Sequence, residues 1–225
     1  MFGVGLMSVA LVTVVSGEAY EKYAQEMFHS AFEYFGPDPV VAHIALPGRE
    51  GWPDATLYRY HVLLENWHVF DGFEYVYMID ADMKFEAEVG GEILCPLAAT
   101  LHPGYITKPW QALPYETQIE SSAYARPTRS DFYYAGGFVG GLRTHFLDLV
   151  ESVVGGIDAD DAKGIMAMWH DESHLNRYLS TRQRPSLALS PSYCMPDDAR
   201  GYPWLDGFER KIVALDKTPA ERGQR

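Results

Sequence analysis

Three apolar runs alternate with two amphipathic stretches through the first third of this chain, and that order leaves few architectures open. Leu11, Val12, Val14 and Val15 form a β-branched run that reads as a buried strand, and Ser16 can cap the helix after it. Tyr20, Tyr23, Ala24, Met27, Phe28, Ala31, Tyr34 and Phe35 recur at three- and four-residue spacing, which predicts a helix closing at Gly36-Pro37. Residues 39–46 predict a second strand. Asp54 can cap a second helix with the stripe Leu57, Tyr60, Leu64 and Trp67, and residues 73–79 predict a third strand. Strand, helix, strand, helix, strand requires a parallel sheet with right-handed crossovers, so the expected fold class is α/β. A chain of 225 residues can bury one sizeable core, and a single domain is the simplest reading.

In such sheets ligands bind beyond the carboxyl ends of the strands. The third strand ends there in Asp80 and Asp82. Residues i and i+2 of an extended chain point the same way, so the two carboxylates are expected to converge. Carboxylates that close call for a cation between them. A hard divalent ion with positions spare for a substrate's phosphates meets that need. A solvated acidic turn accounts for the same residues in a chain with 31 acidic side chains, and both readings stand at this point.

A net charge of −13 argues against nucleic acid or an anionic membrane surface as partner. Cys95 and Cys194 allow one disulfide but no thiolate zinc site, and free thiols are the expectation. Residues 1–15 are apolar but lack a basic start and are too short to span a bilayer, so the expectation is a soluble, cytoplasmic protein without a membrane span.

The second half is less regular. Helical spacing returns at Phe146, Leu149, Val150 and Val153, and again from Ile165, Met168 and Trp169 through Leu175 and Leu179. Residues 169–176, WHDESHLN, place His170 and His174 one turn apart. A zinc hydrolase needs Glu directly after the first His, where Asp171 stands, so that fit is poor. Residues 136–141, GGFVGG, match no Walker or Rossmann phosphate loop; either close approach of backbone to a ligand or tight packing explains such glycines.

MIDADMKF, GGEILCPLAATLHPGY, DFYYAGGFVGG, WHDESHLNRYL and LSPSY follow one another in this order. Together they resemble glycosyltransferase family 6, the family of the blood-group transferases, over residues 11–217. The resemblance implies a GT-A fold, one catalytic domain over residues 1–225, with a mostly parallel central sheet flanked by helices. Within it, residues 1–85 would bind the nucleotide, 86–210 would carry the acceptor and catalytic groups, and 211–225 would close over the diphosphate. The implied reaction moves N-acetylgalactosamine (GalNAc) or galactose (Gal) from a UDP-sugar to O3 of a β-galactoside, with retention, forming an α1,3 linkage.

The same resemblance assigns residues. Asp80 and Asp82 would hold Mn²⁺, or Mg²⁺ in its place. Glu172 would be the catalytic carboxylate, as nucleophile or as support for an oxocarbenium-like state, and would also face the acceptor. Arg59, Asp171, Ala135, Gly136, Gly137 and Lys217 would contact the donor, with Arg222 as a further tail cation. His102 and Trp169 would position the acceptor. Gly137 would leave room for an N-acetyl group, which favours UDP-GalNAc over UDP-Gal. Pro114 and Pro196 depart from the family at acceptor contacts, with Asp197 adjacent as a substitute. A soluble member of bacterial or phage type is the expectation. The alternatives are a UDP-Gal-specific α1,3-galactosyltransferase and a sugar-binding module without turnover.

Overall fold

The computed structural model describes residues 8–35 and 40–217. In chain order the elements are β1 (Ser8–Val15), α1 (Glu18–Tyr34), β2 (Val40–Pro47), α2 (Asp54–Leu57), α3 (Arg59–Glu65), β3 (Tyr75–Ile79), β4 (Met83–Phe85) and β5 (Leu97–Leu101). Then come β6 (Tyr134–Leu142), α4 (Arg143–Asp161), α5 (His170–Thr181), β7 (Leu187–Leu189), β8 (Met195–Pro196) and β9 (Ile212–Ala214).

The main sheet runs β2-β1-β3-β6-β5-β7, and β4-β9-β8 form a small second sheet. Five strands of the main sheet are parallel; β6 alone runs against its neighbours β3 and β5. This is the mostly parallel, helix-flanked α/β sheet that the GT-A resemblance implies. Strand alternation divides the core into two layers. Ala10, Val12, Val76 and Met78 face α3, α4 and α5, where Tyr60, Leu63, Phe146, Val150 and Leu175 are buried. Val9, Leu11, Tyr77 and Ile79 face α1 and the small sheet, packing with Met27, Ala31, Phe85 and Ile212. Among the described residues no helix is long and apolar enough to cross a membrane. Cys95 and Cys194 are free thiols.

Several local expectations are corrected. Ser16 does not cap α1; Gly17 does, at φ 83°, and the Ser16 hydroxyl is buried without a partner. α1 ends at Tyr34, and Gly36-Pro37 lies outside the described residues. Asp54 sits in the first turn of α2 with Pro53 as its cap, and the expected single helix is broken at Tyr58 into α2 and α3. Residues 165–169 are not helical, because Gly164 turns the chain at φ 66° and α5 starts only at His170. The strand expected over residues 39–46 runs from Val40 to Pro47, with Pro39 outside the described residues.

Candidate active site

The carboxyl end of β3 and a bulge in β6 build the floor of the site. β5 and β6 pair in register up to Ala99 and Val139, then resume with Thr100 opposite Ala135, so residues 136–138 have no partner on β5. The Thr100 hydroxyl fills the gap by donating to the Phe138 carbonyl at 2.9 Å. The bulge presents the Gly136 and Gly137 backbone to a cavity of about 290 Å³. The four glycines therefore divide. A Cβ on Gly140 or Gly141 would run into the backbone of β3 or of residues 96–97, whereas one on Gly136 would meet Arg59 and Glu172. A Cβ on Gly137 would stand 3.6 Å from Asp80 Oδ2 and 3.1 Å from Cys194 Sγ.

Asp80 and Asp82 both line this cavity, but not by strand alternation. β3 ends at Ile79, and residues 80–83 form a turn closed by the Met83 N–H donating to the Asp80 carbonyl at 3.2 Å. The Asp80 N–H extends the ladder by donating to Gly137 at 3.0 Å.

Each of the three aspartates meets a cation from another part of the chain, and Glu172 meets a backbone N–H. Arg59, the first residue of α3, donates through Nη1 to Asp80 and through Nε to Asp171, bridging β3 to α5. Asp171 is fully buried, and its second oxygen, Oδ1, has no partner. Burial pushes its pKa up to about 6 against the pull of Arg59. On the next residue, Glu172 accepts from the Gly136 N–H at 2.9 Å through Oε2. Enclosure pushes Glu172 up to about 7, with the Gly136 N–H acting in the opposite sense. The Tyr133 hydroxyl is close enough to feel the Glu172 charge, yet it is buried without a well-formed hydrogen bond.

Three features shape this corner. Asn176 donates to the carbonyls of Tyr134 and Glu172, both at 2.9 Å, and accepts from the Tyr134 N–H at 2.8 Å, tying α5 to β6. His170 has φ 50°, a left-handed conformation rare outside glycine, immediately before the two carboxylates. Its ring lies 5.1 Å from that of the exposed Trp52. The preceding loop is pinned by the buried Glu116, which accepts from the Met168 N–H at 2.6 Å.

At the other end of the cavity, Lys217 stands 2.7 Å from Asp82 Oδ2 and 5.0 Å from the centroid of the Tyr20 ring. Burial opposes its charge, but Asp82 outweighs that and raises its pKa. Arg222 lies outside the described residues. Among those described, no group of three or more His, Cys, Asp or Glu side chains gathers as a metal cage. Two hard carboxylates on an open cavity still suit a divalent cation that takes its remaining ligands from phosphate and water. Asp80 and Asp82 therefore fit such an ion; His170 lines this cavity and His174 a different one, so the two do not form a site.

The cavity thus brings together Arg59, Asp80, Asp82, Gly136, Gly137, Trp169, Asp171, Glu172 and Lys217. Ala135 is not on its wall but in the core beneath. His102 also lies off the wall, its ring 6.0 Å from Tyr133, with Nδ1 accepting from the Gly104 N–H at 3.1 Å. Burial pushes His102 down to about 4, so the ring is neutral and Nε2–H is its donor. Asp197 pairs with Arg210 at 3.4 Å. Sequence reading overlooked Tyr20 and Thr56, which line the cavity, and Asn176. Tyr20 was counted as part of an apolar stripe, although its place just after β1 put it at the ligand-binding edge of the sheet.

The family model "Glycosyltransferase family 6" matches residues 34–205. Rat "Histo-blood group ABO system transferase 1" is 38% identical over 154 residues, 68% of this chain and 44% of that protein. Human "Globoside alpha-1,3-N-acetylgalactosaminyltransferase 1" is 30% identical over 211 residues, 83% of this chain and 60% of that protein. Human "Alpha-1,3-galactosyltransferase 2" is 32% identical over 149 residues, 65% of this chain and 44% of that protein. The chain spans about half the length of these curated relatives. With three of the family's blocks meeting at one cavity and its model matching most of the chain, this protein belongs to glycosyltransferase family 6.

Proposed function

We propose that this chain is a retaining hexosyltransferase that moves GalNAc, or Gal, from a UDP-sugar to O3 of a β-galactoside, forming an α1,3 linkage. The observation that carries the reading is Glu172, an enclosed carboxylate held by one backbone N–H on the same wall as the Arg59-bridged aspartates. The names of the relatives support α1,3 transfer of these two sugars.

The residues divide the work by chemistry. The Tyr20 ring offers a flat surface for the uracil. Asp80 and Asp82 would hold Mn²⁺ or Mg²⁺ on the diphosphate, and that ion would supply charge neutralisation as UDP departs. Lys217 can exchange its contact with Asp82 for a phosphate oxygen. Asp171, kept ionised by Arg59, has Oδ1 unpartnered and able to accept from a donor hydroxyl. With Oε2 occupied by Gly136, Glu172 turns Oε1 to the anomeric carbon. It either bonds to that carbon as UDP departs and is then displaced by the acceptor O3, or balances the carbon's positive charge while O3 attacks the face UDP leaves; on either route the O3 proton passes to the departing diphosphate. Both routes retain configuration. Trp169 on the cavity rim and His102 beyond Tyr133 would orient the acceptor. With Pro114 unable to donate and Asp197 engaged by Arg210, acceptor contacts there differ from the family pattern. The glycine at 137 favours the bulkier GalNAc donor.

The test measures UDP release from UDP-GalNAc and UDP-Gal with lactose, with Mn²⁺ or with chelator, alongside Glu172→Gln. Activity untouched by chelator refutes the metal reading, and full activity in the variant refutes the role of Glu172. A preference for UDP-Gal overturns the reading of Gly137. Absence of any transfer leaves a sugar-binding module in its place.

A further inference from the structure

A second cavity of about 720 Å³ lies between α4 and α5 and shares no lining residue with the first. His174 forms its floor, two positions beyond Glu172 and so about 200° around α5. One helix therefore faces both cavities. We propose that this groove binds a carbohydrate through its hydroxyl groups, at a site separate from the transfer cavity.

Three observations carry the assignment. The first is His174 itself. It is 4% exposed, lines the groove and makes no hydrogen bond among the described residues; its nearest charged atom is Asp160 Oδ2, 3.7 Å from Nε2. That contact is longer than a hydrogen bond, so the imidazole keeps the capacity to bond a ligand seated in the groove. The second is the Gly155-Gly156 pair in the middle of α4. Gly156 is required, because a Cβ there would stand 2.8 Å from His174 Nδ1. Gly155 has nothing within 4 Å, so packing does not demand it, yet glycine there weakens a helix by about 1 kcal/mol relative to alanine. What its missing side chain provides is an open floor.

The third observation is the charge of the walls. Arg177 and Arg182 face the groove from the α5 side and Asp148 and Glu151 from α4, and among the described residues none of the four forms an ion pair. Two unpaired charges of each sign offer neither a polyanion nor a polycation a net attraction. They do offer guanidinium donors and carboxylate acceptors at once, which is the pairing that vicinal hydroxyls need. A neutral polyhydroxyl ligand fits; a phosphate does not.

The inference does not depend on the proposed transfer. The test follows the histidine imidazole signals of the whole chain by NMR, with the His174 signal assigned from His174→Gln. Lactose, N-acetyllactosamine, maltotriose and inorganic phosphate are the probes. At least one sugar is expected to shift His174 in the wild type and in Trp169→Ala. In Gly155→Gln, which improves the helix while filling the groove, that shift is expected to vanish with the melting temperature undiminished. The proposal is overturned if no sugar moves His174, or if the shift survives Gly155→Gln. It is equally overturned if the shift disappears in Trp169→Ala, which would make it a relay from the transfer cavity, or if phosphate alone produces it.

Discussion

The two sides of α5 treat charge in opposite ways. Toward the transfer cavity, Asp80, Asp82 and Asp171 each meet an opposite charge from a distant part of the chain, and Glu172 meets a backbone N–H. Toward the groove, Arg177, Arg182, Asp148 and Glu151 are left to solvent. A buried ion pair contributes little net stability, but breaking one exposes the full desolvation cost of the survivor. A solvated charge can be removed with little effect. The transfer side is therefore preorganised and fragile, the groove side cheap and tolerant.

Substitutions can break or sharpen that contrast. Arg59→Met should have the largest effect, leaving Asp171 buried and unpaired at a cost of about 3–5 kcal/mol, seen in denaturant unfolding, together with loss of transfer. Arg177→Met on the other side should change stability by less than about 0.5 kcal/mol. Glu172→Gln should lower transfer by roughly 10³-fold or more, equivalent to about 4 kcal/mol of barrier. It should also raise thermal stability at alkaline pH. The carboxyl titrates at about 7 in the folded chain against an ordinary 4.5, so the folded state holds its proton longer and stability falls as pH rises across that window. Relief of that penalty is of order 1–3 kcal/mol. A Glu172→Gln variant less stable than the wild type would refute the strained carboxylate. By the same titration, kcat/KM should climb through about pH 7 in the wild type. Asn176→Ala should lose about 2 kcal/mol and lower kcat, because two carbonyls and an N–H lose their partner. Gly155→Ala should bring a small gain, about 0.5–1 kcal/mol.

Much of the sheet was legible because each strand is a short apolar run and each crossover helix carries a stripe. The aspartates were correctly set at the strand's carboxyl end, but the mechanism of their convergence was misjudged. A turn bonded to the β6 bulge brings them together, and bulges leave no period in the sequence. The helix expected from Ile165 failed for a similar reason. Met168 is held by Glu116 from 52 residues away, and His170 adopts a backbone conformation that side-chain spacing does not report. Asn176 looked like any polar helix position; only the fold reveals that it spans to Tyr134.

The bulge in β6 has a further meaning for how such a protein can change. Below it, Val139 to Gly141 stay locked in register with both neighbours, and glycines there are obligatory. Above it, residues 136–138 have no paired residue on β5, so a side chain exchanged at 137 would alter the cavity wall beside Asp80 and press on the Cys194 side chain, not on the backbone of the sheet. If residue 137 sets the donor, as proposed, scaffold and selectivity become separable variables on a single strand, and one methyl group there would change the sugar taken with the rest of the sheet kept in register.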